Sequence, residues 1–216
     1  DANTSGANNT ALGLNALGAN TTASNNVAIG VNAMVLNETG TQNVAVGGFA
    51  LDANTTGQNN TAVGYNALTS STGSSNTGIG SLSLDANTSG QNNTAVGTNS
   101  LGANTTASSN TAVGSSALLS NTTASNNVAI GFSALSSATT NGNNTAVGYG
   151  ALENNTTNLN TAVGYLSMNA NTAGGGNTAI GSISLDSNTT GSFNTALGYD
   201  TLGLNETGSN NVAVGH

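Results

Sequence analysis

One aliphatic position recurs along the whole chain, at Leu12, Ile29, Val46, Val63, Ile79, Val96, Val113, Ile130, Val147, Val163, Ile180, Leu197 and Val214, and no polar residue ever replaces it. Each of these residues sits in a motif Asn-(Thr/Val)-Ala-(Val/Ile/Leu)-Gly, with Gly78 standing once for the Ala. The closing glycines are spaced by 17 residues, and by 16 at Gly64 to Gly80 and at Gly148 to Gly164. A second apolar column follows each motif: Leu17, Met34, Leu51, Leu68, Leu84, Leu101, Leu118, Leu135, Leu152, Met168, Leu185 and Leu202. Polar runs such as Asn54-Thr55-Thr56-Gly57-Gln58-Asn59 separate that column from the next motif, and both short steps lose their residue there, which marks the run as loop.

Seventeen residues are too few for a pair of packed helices, and the motif is β-branched while Gly and Asn weaken helices. The pattern predicts two short strands per turn. A single turn cannot bury its large apolar side chains, but turns stacked at strand spacing bury continuous columns, each aliphatic contributing ~1.5–3 kcal/mol on full burial. The fold class expected is all-β, a parallel β-solenoid or β-roll of about 13 turns with a 17-residue repeat, rising roughly 60 Å at ~4.8 Å per turn. Asn and Gly suit the corners, where left-handed backbone is needed, and stacked Asn residues can form amide ladders. The absence of Pro agrees with strands paired on both sides.

Side chains alternate within the motif, so Val63 and Thr61 share one face and Ala62 takes the other. With the aliphatic column pointing inward, the outward column is Ala28, Ala45, Ala62, Ala95, Ala112, Ala129, Ala146 and their equivalents. A solvated face has no reason to exclude everything larger than Ala, so this arrangement makes the Ala column a seam against a sister chain. The rival arrangement puts Ala inside a very thin coil and a Thr/Val and Val/Ile face outside.

Composition narrows the chemistry. The chain has no Lys, Arg, Cys, Pro or Trp, one His, eight Asp plus Glu, and a net charge of −8. Phosphate backbones and anionic membrane surfaces need cations to hold them, so nucleic acid and membrane binding are excluded, and no apolar run approaches the ~20 residues that cross a bilayer. Without Cys there are no disulfides or thiolate metal sites, and no secretory signal opens the sequence. Leu, Ile, Val and Phe make 40 of 216 residues, a content that favours disorder by itself, so it is the strict periodicity that argues for a fold.

Asn-Val-Ala-Ile-Gly at 26–30 and 127–131, and Asn-Thr-Ala-Val-Gly-Tyr-Asn-Ala-Leu at 60–68, resemble the head repeats of YadA-like trimeric autotransporter adhesins. They are also similar to the repeats of phage-type tail fibre proteins that end in an intramolecular chaperone domain. The resemblance covers the whole chain and implies a left-handed, trimeric β-roll on a cell or virion surface. It departs from the adhesin head in its longer repeat, whose extra residues carry the Asn-Thr-Thr loop. Asp1 and His216 fall at different phases of the repeat, so residues 1–216 read as a single array cut from a longer fibrous protein.

Candidate chemistry is sparse. One His and eight scattered carboxylates do not make convergent acids, bases or nucleophiles, so no enzyme, cofactor or metal site is expected. Asp52, Asp85, Glu153 and Asp186 share a column, but none lies on adjacent turns, a spacing that avoids like-charge repulsion. The residue after the motif Gly holds Tyr65, Phe132, Tyr149, Tyr165 and Tyr199, a column suited either to contacting sugars or another protein, or to covering the corner of the coil. Asn20, Asn37, Asn54, Asn87, Asn104, Asn121, Asn155, Asn188 and Asn205 begin Asn-x-Ser/Thr triplets in one loop column, which reads either as a glycosylated face or as turn composition.

Together these features point to a structural segment of an extracellular fibre, an adhesin head or tail fibre shaft, whose partner is itself, as homotrimer or filament, with a host-surface glycan or protein as receptor. The alternatives are a single-chain solenoid that polymerises end to end, and an ice-binding solenoid with a flat Thr/Val face.

Overall fold

The computed structural model describes residues 2–216, which form an all-β parallel β-solenoid of about 12 turns with a repeat of ~17 residues. Two compact units divide the chain, Asp1–Ser109 and Asn110–His216. The first holds β1 (Thr10–Leu12), β2 (Val27–Ile29), β3 (Val44–Val46), β4 (Thr61–Val63), β5 (Thr77–Ile79) and β6 (Thr94–Val96). The second holds β7 (Thr111–Val113), β8 (Val128–Ile130), β9 (Thr145–Val147), β10 (Thr161–Val163), β11 (Thr178–Ile180), β12 (Thr195–Leu197) and β13 (Val212–Val214). Within each unit every strand pairs in parallel with the next, as in Val44↔Thr61, Ala45↔Ala62 and Val46↔Val63. The two 16-residue steps keep that register, with Ala62 opposite Gly78 and Ala146 opposite Ala162, so the missing residue is taken out of the loop as the sequence implied.

Each turn contains one three-residue strand, not two. The Leu-bearing leg is prevented from extending by left-handed residues on either side of Ala67: Asn66 has φ 55° and Leu68 has φ 53°. It still passes backbone bonds along the stack, the Leu68 N–H donating to Ser83 O at 2.9 Å and the Leu51 N–H to Ala67 O at 3.0 Å. Left-handed Leu or Met recurs in every turn, a conformation costing ~1–2 kcal/mol for an L-residue and offset by burial of the side chain at ~1.5–3 kcal/mol. The corner after the strand is stricter. Gly64 has φ +140°, and a Cβ there would lie 2.5 Å from Gly80 O.

The side chains inside a representative turn are Asn54, Asn60, Ala62, Ala67 and Leu68, all with no solvent exposure. The Ala column is therefore interior, and the expected seam at Ala28, Ala45, Ala62, Ala95, Ala112, Ala129 and Ala146 is overturned: each is fully buried within a single chain and has no surface to offer a partner. Leu68 supplies the reason, because it reaches across the coil to the strand. A Cβ built on Gly78 would lie 3.2 Å from Leu68 Cγ and 3.1 Å from Ser83 Oγ, so Leu and Ala together already span the interior. Val and Ile are too large for that position, and they face outward.

The rest of the interior is polar, and hydrogen bonds run along it from turn to turn. Asn43 Oδ1 accepts the Asn60 N–H at 2.9 Å while Asn43 Nδ2 donates to Gly57 O at 2.8 Å. The loop-column asparagines form the second ladder: Asn54 Nδ2 donates to Asn37 Oδ1 at 2.7 Å and to Gly57 O at 3.1 Å, and Asn54 Oδ1 accepts the Gly57 N–H at 3.0 Å. Buried amides are tolerated only with such partners. The glycosylated-face reading fails here, since Asn20, Asn37, Asn54, Asn87, Asn104, Asn121, Asn155 and Asn188 are buried and Asn205 is half-buried. In the folded coil these amides point inward, away from any glycan-transferring enzyme.

Candidate functional site

With the interior closed, chemistry is left to the outer columns. The strand face presents Thr61 and Val63 and their equivalents, two side chains per strand on either side of an inward Ala. Both are half-buried by the turns above and below, and Ile79, Ile130 and Ile180 are about 40% exposed. The hydroxyls of Thr61, Thr77 and Thr145 make no hydrogen bond to the described residues and are available to solvent or a partner. Loop threonines behave differently. Thr72 Oγ1 donates to Thr88 O at 2.9 Å and Thr88 Oγ1 to Thr105 O at 2.9 Å, stitching successive loops together.

The positive-φ corner glycine turns the chain away from the strand, so the next side chain projects from the edge of that face. Tyr65, Phe132, Tyr149, Tyr165 and Tyr199 are each about half exposed there. Phe132 and Tyr149 stack with ring centroids 5.3 Å apart and planes 13° from parallel, and Tyr149 and Tyr165 follow at 5.5 Å and 21°. Three of the five predicted residues thus form one continuous pile. The other two stand apart from it: Tyr65 meets Phe49 edge-on at 6.0 Å, and Tyr199 meets His216 at 5.1 Å with a 37° tilt.

Stacking decides what these rings offer. Inside the pile, the faces of Tyr149 are occupied by Phe132 and Tyr165, leaving only edges and the phenol oxygen for a ligand. Sequence reasoning placed the column but missed Phe49 and His216 as ring partners. The signal was present, since His216 follows a motif Gly and Phe49 is one residue further on.

Asp52, Asp85 and Asp186 lie in a partly buried column, and desolvation raises each carboxyl above its ordinary value, with the Asp200 charge adding to the effect at Asp186. Glu153 in the same column accepts a hydrogen bond from Asn169 Nδ2 at 2.9 Å. Among the described residues no three His, Asp or Glu side chains converge as metal ligands would, and no helix is long and apolar enough to cross a membrane. Comparison with models of known protein families and with curated proteins finds no match.

Proposed function

We propose that this chain is a structural repeat segment of an extracellular fibre at a cell or virion surface, with a mechanical role and with attachment chemistry carried on the outer aromatic column. The supporting observation is the outer strand face: an aliphatic column with no polar interruption, left partly exposed while the interior is filled by Ala, Leu, Met, Ser and Asn. An exposed apolar strip of that regularity marks a protein–protein surface, and its repetition suits copies of the same chain placed side by side. The resemblance to trimeric adhesin heads and tail fibre shafts supports three copies, and the strand face replaces the Ala column as their seam. A host-surface glycan or protein is the receptor class such a fibre serves.

Light scattering tests the assembly. A trimer is expected for the intact chain, and a folded monomer is expected for the double variant Val63→Asp, Val147→Asp. A stable monomer of the unaltered chain overturns the seam.

A second reading draws on the free Thr hydroxyls. Nine of the thirteen strands begin with Thr, so one edge of the face is a ladder of hydroxyls at strand spacing beside a ladder of methyl groups, a surface able to order water as an ice-binding face does. Thermal hysteresis of the intact chain would favour this reading; its absence at high protein concentration removes it.

A further inference from the structure

We propose that Ser182, with Tyr165 and Tyr199 on either side, forms a slot for one pyranose ring of a neutral glycan. The pairings Thr161↔Thr178 and Thr178↔Thr195 put Tyr165, Ser182 and Tyr199 at the same place on three consecutive turns of one unit. Backbone bonds hold that place on each turn: the Ile183 N–H donates to Tyr165 O at 2.8 Å and the Asp200 N–H to Ser182 O at 3.1 Å. Rings fill the column at Phe132, Tyr149, Tyr165, Tyr199 and His216, and Ser182 is the one gap in that run.

Each wall has one face engaged elsewhere. Tyr165 stacks on Tyr149 and Tyr199 leans on His216, so the remaining face of each is turned toward Ser182. Two turns at strand spacing separate the walls by about 10 Å. A puckered six-membered ring in contact with both needs twice the ~3.5–4.0 Å carbon contact distance plus its own depth, which matches that separation. The Ser182 hydroxyl on the floor has no partner among the described residues, and the exposed Asp200 follows Tyr199 in the chain with its carboxylate lying against Gly203. A sugar offers what this lining can use: C–H faces for the two rings, and a hydroxyl for Ser182. Anionic sugars are disfavoured by Asp186 and Asp200 in a chain with no Lys or Arg. The slot deepens the attachment role proposed above, yet it is built from a single chain, so its failure would leave the strand-face assembly standing, and the reverse.

The test is titration of the intact chain with cellotetraose, with tetra-N-acetylchitotetraose and with sialyllactose, followed by tyrosine fluorescence and by the NMR signals of Tyr165 and Tyr199. A single slot of this size predicts binding at about millimolar Kd by at least one neutral probe. Ser182→Tyr continues the pile and fills the slot, and it is expected to weaken that binding at least about tenfold, as are Tyr165→Ala and Tyr199→Ala, while Tyr65→Ala leaves it unchanged. Tyr is already accommodated in this column, so Ser182→Tyr keeps the fold. No perturbation of Tyr165 and Tyr199 by either neutral probe overturns the proposal, as does binding that survives Ser182→Tyr or that prefers sialyllactose.

Discussion

The Asn43 side chain replaces a backbone partner for Asn60, its Oδ1 accepting the Asn60 N–H at 2.9 Å one turn away. Within each unit the motif Asn residues do this for the next in turn and also tie down the loop carbonyl that follows, so the polar half of the interior is held as specifically as the Leu column. Asn43→Ala leaves a buried N–H without an acceptor and is expected to destabilise by about 1–3 kcal/mol. Gln58→Ala, on the exposed loop, is expected to change stability by less than about 0.5 kcal/mol. Thermal melts of both variants followed by circular dichroism compare them.

Gly64→Ala is expected to cost more than about 3 kcal/mol, because it combines a backbone region closed to L-residues with a clash against the next turn's carbonyl. Asn59→Gly, at φ 58°, is expected to stay within about 1 kcal/mol of the parent, since that left-handed conformation suits either residue. Guanidinium midpoints of the two variants separate steric need from mere turn preference.

The two faces of the strand give opposite outcomes. Ala62→Leu overfills the coil against Leu68 and is expected to lower the stability of the single chain by about 1–3 kcal/mol or more. Val63→Asp points outward and is expected to leave the coil folded while weakening self-association. Melting temperature and light scattering on the same samples show whether each variant acts on fold or on assembly.

That contrast shows where the sequence was legible. Period, register, loop position and the absence of helix all follow from the spacing of Val63-type and Leu68-type residues, because only stacked turns can bury such columns. Which of Ala62 and Val63 faces inward does not follow, since alternation defines two faces without ranking them, and ranking by hydrophobicity selects the wrong one. The deciding quantity is the width of the coil, which Leu68 sets from the opposite leg. The left-handed Leu68 was hidden for a related reason: its backbone cost is repaid by burial, and propensity sees only the cost. The aromatic column was legible by position, but whether its rings show faces or edges depends on which turns lack a ring.

Acid is expected to stabilise the protein. Burial raises the carboxyls of Asp52, Asp85 and Asp186 above 3.8, so between that value and their folded values the native state binds more protons than the unfolded chain. Stability is therefore greatest at or below about pH 3.8 and falls as pH rises through the raised values. Protonation of these three carboxyls also reduces the −8 net charge, which acts in the same direction. Melting temperatures at constant ionic strength are expected to fall from acid toward neutral pH, with a smaller fall in the triple variant Asp52→Asn, Asp85→Asn, Asp186→Asn.

The in-register passing of hydrogen bonds from each turn to the next also sets how a unit yields under load. A turn touches only its two neighbours, so tension applied to the chain ends detaches the outermost turn first and leaves the rest intact. Each release frees 17 residues, or 16 at the two short steps, lengthening the tether by about 50 Å once the lost turn height is subtracted. Force-extension traces would then show evenly spaced steps instead of one rupture, and a fibre built from such units would dissipate a sudden pull gradually while keeping most of its turns available to rewind.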